Sequence, residues 1–442
     1  MHYSSIEALE TRIAPASLGV TDVFVDASDL TVSLSNGLLK VMPKSGATDL
    51  DVSIELLPDG SLLVSDSTGD DDLEDTPNFH GLVRSIQATL TAGDDHLSVL
   101  LDSGFTIAGG LAVNTGLGFD QVEIHEGVLR GNVTISGKGS VDVNVGTDSL
   151  DDVNIRGLLS STVTGGGEFH FGAGAKAGAL TAIGSSDFIL EGLVIGNTML
   201  TAKTGDTSFQ IGGIGGSPTA AVGGNLTITG VAGSDDVFVG DALVRGGMTL
   251  NLGAGNNLAT IGTDANILGV AKILGTTGDD TVVLGTIGSA GPGIHGRLSV
   301  TLGNGTNEFT AHSGLISGGL SFTGGTGADT VNLGADLTVF ADAKIATRDG
   351  ANVVNVESFS SLWKFNLTTG VDTDTVTLNA VGAGYLIGVV GLGGGTDALT
   401  ILGSADFFST FKTDGGLGTD TLAINPLVLD NGLSQKGFET LS

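Results

Sequence analysis

The stretch "GGTGADTVNLG", residues 324–334, can be read as a metal-binding glycine–aspartate turn or as one corner of a structural repeat. Its recurrence decides. Counted on the glycine two positions before the Asp, the turn returns at Gly233, Gly255, Gly278, Gly305, Gly327 and Gly350. Asp372 then takes the glycine's place, and Gly395 and Gly418 follow. The steps are 22, 23, 27, 22, 23, 22, 23 and 23 residues. Backwards, the series continues through Gly205, Gly184, Gly165, Gly139, Gly118, Gly93, Gly69 and Gly46, with Gly19 as a beginning. That makes about eighteen units, and a period in this range means a solenoid.

Each unit carries a short strand on either side of the turn. In "RLSVTLGNGTNEF" Leu298, Val300 and Leu302 alternate with polar residues, and Val331 and Leu333 do so after the next turn. Period two is the signature of a half-buried strand. One unit cannot bury its apolar side, whereas stacked neighbours can. The expected fold is therefore all-β, a right-handed parallel β-helix of 22–23-residue coils with a third, less regular side. Coils about 4.8 Å apart make eighteen of them a rod about 85 Å long. "GGIGGSPTAAVGG" (212–224) and "GTIGSAGPGIHG" (285–296) fall in the longest steps and are expected to bulge as loops. Residues 1–17 read as an N-terminal helical cap or sorting segment and 18–442 as the solenoid. Ser4 and Glu7 fit a capping box, Ile6, Leu9 and Ile13 share a face, and Pro15 ends the helix.

Composition limits the function. Of 442 residues 74 are Gly and none is Cys, so no disulfide framework exists. The formal net charge is −32, yet 40% of residues are hydrophobic, too many for a disordered acidic chain. Such charge argues against nucleic acid and anionic membranes as partners. No apolar run is long enough for a transmembrane helix, so no membrane insertion is expected.

Two positions after the turn glycine stand Asp235, Asn257, Asp280, Asn307, Asp329, Asn352, Asp374, Asp397 and Asp420. Stacking puts them in one column. Alternating Asn relieves repulsion between the carboxylates, but the last three coils place three Asp in succession. Solvent, protonation or a cation must neutralise them, and a column without metal is an Asx ladder in which each side chain bonds its own turn.

"GGTGADTVN" (324–332) and "GGLGTDTLA" (415–423) resemble the GGxGxDxUx nonapeptide of haemolysin-type calcium-binding repeats. The resemblance implies calcium held by turn carbonyls and carboxylates. The matching positions are Gly324, Gly325, Gly327, Asp329, Gly415, Gly416, Gly418 and Asp420, with Asp374 and Asp397 in the same column. That family repeats the nonapeptide in tandem, whereas here it occurs once per coil. "IEALETRIAPAS" (6–17) is similar, through Leu9, Glu10 and Arg12, to a short segment near the start of large secreted planctomycete proteins, which implies export. The repeats also resemble those of bacterial surface and adhesin-like β-helical proteins.

Enzymatic signals are weak. A carbohydrate lyase or hydrolase on this fold needs a base and cationic partners for acidic sugars, but only 17 Lys and Arg are scattered along the chain. The seven His show no one-coil spacing shared with acids. "GIHGR" (293–297) reads as a surface loop, and the Asp pairs of "AGDD" (92–95) and "TGDD" (277–280) read as structural. Trp363, Phe365, Phe407, Phe408 and Phe411 suggest packing near the C-terminal end or a sugar platform. The expected function is an extracellular structural or adhesive rod of the cell surface or matrix, with polysaccharide among its partners. A carbohydrate-active β-helix enzyme is the alternative. The ending "FETLS" suggests a fragment or end-to-end self-association.

Overall fold

A computed structural model describes residues 22–441 apart from 58, 67–76, 103–104, 148–150, 204, 214–219, 358–363, 380–385, 404–406 and 426–432. The expected helical cap and sorting segment, Trp363, and the centre of the 212–224 loop lie outside the described residues.

Among the described residues there is no helix, and the chain winds into a parallel β-solenoid of about fourteen turns. At one coil spacing per turn this gives a rod about 65 Å long. Leu298–Thr301 shows the winding. It pairs in parallel with Ala271–Leu274 of the coil before and Leu320–Thr323 of the coil after. Glu308–Ala311 lies likewise between Thr281–Leu284 and Thr330–Leu333. The third side is built from strands as short as the pair Asn266–Ile267, which explains its poor legibility.

Alternation drives the stacking. In Thr281–Leu284 the residues Val282 and Leu284 are buried, and Leu298, Val300, Leu302, Val331 and Leu333 line the same core. Because side-chain period is two, a one-residue slip would turn every apolar residue outward. Parallel register therefore holds from coil to coil, and like residues stack on like. Phe188 and Phe209 are partners in adjacent coils, with ring centroids 4.8 Å apart and planes 5° from parallel. Phe365 and Phe411 are fully buried, so those two members of the C-terminal aromatic group pack the core.

Eighteen units was an overcount. The first coils are replaced by antiparallel pairs that the 23-residue period does not describe. Leu30–Ser35 pairs antiparallel with Leu38–Pro43 across Asn36 and Gly37, whose φ angles of 53° and 80° make a tight hairpin turn. Leu62–Asp66 folds back antiparallel on Asp51–Leu56 instead of forming the next coil. These hairpins sit at the start of the parallel stack, where a bare sheet edge would otherwise invite pairing. The 285–296 insertion is not wholly a bulge. Its end, Gly293–Ile294, rejoins the wall between Asn266–Ile267 and Leu315–Ile316.

Candidate functional site

The turn column forms as the spacing predicts. All nine members from Asp235 to Asp420 are buried, and they continue at Asp95 and Asp120 in the early coils. The Asn side chains and Asp95 bond their own turns as an Asx ladder requires, but the bonding also crosses between coils. From Asn257 onward, each side chain accepts a hydrogen bond from the backbone N–H of its counterpart in the preceding coil, beginning with Asp235 N to Asn257 Oδ1 at 2.9 Å. Asn257 N donates to Asp280 Oδ1 at 3.3 Å, Asp280 N to Asn307 Oδ1 at 3.1 Å, and Asn307 N to Asp329 Oδ1 at 3.1 Å. The run continues through Asp329 N to Asn352, Asn352 N to Asp374, Asp374 N to Asp397 and Asp397 N to Asp420, at 2.8–3.0 Å. Glu439 ends it by accepting from Asp420 N at 2.7 Å. A second ladder runs beside it in the opposite sense. Asp279 Oδ1 accepts from Thr306 N of the following coil at 2.7 Å, and Asp94 Oδ1 from Phe119 N at 2.8 Å. Both Asp of "TGDD" and of "AGDD" are thus ladder members.

Asn and Asp occupy the column in different turn conformations. Four residues before Asn257, Asn307 and Asn352 stand Gly253, Gly303 and Arg348, with φ of 79°, 63° and 67°. This left-handed backbone aims carbonyls at the side chain. Asn352 Nδ2 donates to Arg348 O at 2.9 Å, Gly350 O at 2.7 Å and Asp374 Oδ1 at 2.9 Å. Asn307 Nδ2 likewise donates to Gly303 O and Gly305 O. The residues four before Asp280 and Asp329, Thr276 and Gly325, do not have the left-handed backbone. Asp95 shows what that turn offers a carboxylate: Thr91 N donates to its Oδ2 at 2.7 Å.

Asp120, Asp397 and Asp420 break this pairing of residue and turn. Gly116, Gly393 and Gly416, four before them, have φ of 91°, 86° and 98°, so these three Asp sit in the conformation that suits Asn. Their Oδ2 atoms, like those of Asp235, Asp280, Asp329 and Asp374, are buried without a hydrogen-bond partner. Burial pushes the Asp120 and Asp397 carboxyls up to about 6, helped by neighbouring Asp94 and Asp95 in the first case and Asp374 and Asp420 in the second. Burial also raises Asp235, Asp280, Asp329 and Asp374.

The donor set fits calcium poorly along most of the column. Calcium takes six to eight oxygens. In the Asn coils the carbonyls of Gly255, Gly303, Gly305, Arg348 and Gly350 already accept from side-chain amides. Asp329 has Asn307 and Asn352 as its column neighbours, so no second carboxylate adjoins it there. Asp374, Asp397 and Asp420 follow one another directly, each with a buried, unpartnered Oδ2, and Asp95 adjoins Asp120 in the early coils. Among the described residues no group of three His, Cys, Asp or Glu has metal-binding geometry.

The motif glycines have steric reasons of their own. A methyl on Gly327 would overlap Gly305 O of the preceding coil, one on Gly325 would overlap Gly303 O, and one on Gly324 would overlap Asp329 Oδ2. Gly416 and Gly418 face Gly393 O and Gly395 O in the same way, and Gly415 faces Gly437 O. Asp372 keeps a side chain in this column at a φ of 114°, a strained conformation for any residue with a Cβ. Its Oδ2 accepts from Gly350 N at 3.1 Å, an exposed bond of small worth. Asp372→Gly should therefore raise the unfolding free energy by about 1 kcal/mol, read as a higher denaturation midpoint. A lower midpoint would show that the Asp372 bond outweighs the strain.

Two features escaped the sequence reading. The His residues do share one-coil neighbours with acids, contrary to expectation. His96 Nδ1 lies 2.8 Å from Asp51 Oδ1, and Glu123 Oε2 lies 3.4 Å from His96 Nε2 and 3.2 Å from His125 Nε2. His170 bridges Glu168 and Glu191. The stacking of His96 on Gln121, two residues along the register from Ser98 on Glu123, supplies this proximity and is invisible without the register. The other feature is a groove of about 730 Å³ on the outer face of the Thr281–Leu284 to Thr375–Asn379 strands. Glu308, Thr310, His312, Asn332, Asn355 and Glu357 are among its lining residues. His295 of "GIHGR" is exposed on the third side, outside that groove.

No protein-family model, no curated protein and no solved structure matches this chain.

Proposed function

We propose that the chain is an exported structural or adhesive rod of a bacterial cell surface or extracellular matrix. One observation carries this reading: parallel register passes from coil to coil until Leu422 pairs with Leu441, and the side-chain ladders stitch the turns of the same stack. Such a stack gains length with every added coil, and its stability grows from neighbour contacts. A surface with formal charge −32 keeps rods apart from one another and from anionic membranes. The export segment implied by Leu9, Glu10 and Arg12 is consistent with this placement.

The column needs no metal in this reading. Protons relieve its crowded carboxyls, and the Asp374–Asp397–Asp420 run is where a bound cation would be sought. The rod is also proposed to be non-catalytic. Among the described residues no Lys or Arg lines the groove, so the described groove offers acidic sugars no Lys or Arg cation.

Electron microscopy of the purified protein should show particles about 65 Å long, and antibody against it should label intact cells of the source organism. Labelling confined to lysed cells would contradict the surface assignment. Reducing ends released from a polysaccharide by the parent, and not by Glu308→Gln or Glu357→Gln, would contradict the non-catalytic one.

A further inference from the structure

We infer that the groove over the Thr310–Asn332–Asn355 column binds an extended neutral polysaccharide, lying along the rod axis with one sugar unit per coil. The inference deepens the adhesive reading and rests on it. Its first support is a one-way relay of hydrogen bonds. Asn355 Nδ2 donates to Asn332 Oδ1 at 3.0 Å, Asn332 Nδ2 to Thr310 Oγ1 at 3.1 Å, and Thr310 Oγ1 to Glu308 Oε1 at 2.9 Å. Glu308 accepts without donating, so the anion fixes the direction of the whole relay. Each amide uses one N–H in the relay, and its second N–H is available to a ligand. The groove thus offers a row of preset donors, one per coil.

Spacing and charge select the ligand. Val283, Thr310, Asn332, Asn355 and Thr377 stack in register over five coils, a span of about 19 Å. The coil rise is close to the length of one unit in an extended β-1,4-linked pyranose chain. Successive units of such a chain turn opposite edges to one side, so the amides meet 6-hydroxyls and 2- or 3-substituents in alternation. Glu308, Asp336 and Glu357 line the groove with no Lys or Arg among its described residues, which disfavours uronates and phosphorylated polymers and leaves acceptors for sugar hydroxyls. Leu402 and Ile287 add exposed apolar surface for sugar ring faces.

Affinity electrophoresis of the full chain through soluble hydroxyethylcellulose, with polygalacturonate as the acidic probe, tests this. The parent should be retarded by the neutral glucan and not by polygalacturonate. Asn332→Ala/Asn355→Ala should weaken retardation roughly tenfold or more, while Gln210→Ala, on the same outer face away from the groove, should leave it unchanged. Microscopy of each variant must show the parental rod, so loss of the fold is distinguished from loss of binding. An intact parent rod that ignores the neutral glucan overturns the inference, as does equal retardation of the double variant or preference for polygalacturonate. A compact parent particle would instead overturn the rod reading itself.

Discussion

Changing Asn257, Asn307 and Asn352 together to Asp should lower the melting temperature at neutral pH more than any other set of substitutions of equal size in the column. Each of these amides donates to at least one carbonyl of its own turn and to the Oδ1 of the next Asp. A carboxylate in the same place directs lone pairs at those acceptors. It also gains charged neighbours about 4.8 Å away, which repel by roughly 1 kcal/mol each in water and more in a buried turn. A lost donor to a buried acceptor adds about 1–3 kcal/mol. The single variant Asn352→Asp, whose amide N–H groups serve three acceptors, should already destabilise by about 2 kcal/mol or more. Thermal melts followed by circular dichroism check both, and an unchanged midpoint in the triple variant would remove the amide's proposed role.

The converse change should stabilise. Asp120→Asn, Asp397→Asn and Asp420→Asn place an amide in the three turns whose left-handed residue suits one. A donor would then replace an unpartnered buried oxygen. Linkage gives the pH course. Asp120 and Asp397 are raised to about 6 from 3.8, so each favours folding in its protonated form. That contribution is complete below about pH 4 and is lost as pH rises through about 6. The parent should therefore melt higher near pH 5 than at pH 7.5. The Asp120→Asn and Asp397→Asn variants should gain more at pH 7.5 than at pH 5, because folding of the parent protonates these two carboxyls at smaller cost at the lower pH. Equal gains at both pH values would place the benefit in something other than protonation.

The turn motif made the architecture legible because a solenoid repeats its geometry. A glycine whose Cβ would strike the preceding turn must recur once per coil, and Gly305, Gly327 and Gly350 do. Alternation at Leu298, Val300 and Leu302 was equally plain, since all three face the core. The early coils misled because Gly46 and Gly69 kept the period while the chain folded into hairpins. "SNG" at 35–37 held that signal in its Asn–Gly pair. The column was predictable as a column, but its bonding was not. Whether Asp280 reaches its own turn or Asn257 N of the coil before depends on the rise between coils, which residue identity does not encode. The groove was still less visible. Thr310, Asn332 and Asn355 lie 22 and 23 residues apart and mean nothing until the register sets them side by side.

The central claim is that protons and hydrogen bonds, rather than calcium, hold the carboxyl column together. It is tested most directly by melting the parent protein at pH 5 and pH 7.5, each in millimolar calcium and in chelator. A metal bound only by the folded stack would stabilise it by mass action. The account predicts a higher melting temperature at pH 5 and no difference between calcium and chelator at either pH. A melting temperature at pH 7.5 that rises in calcium, falls in chelator and loses that response in Asp374→Asn/Asp397→Asn/Asp420→Asn would contradict it.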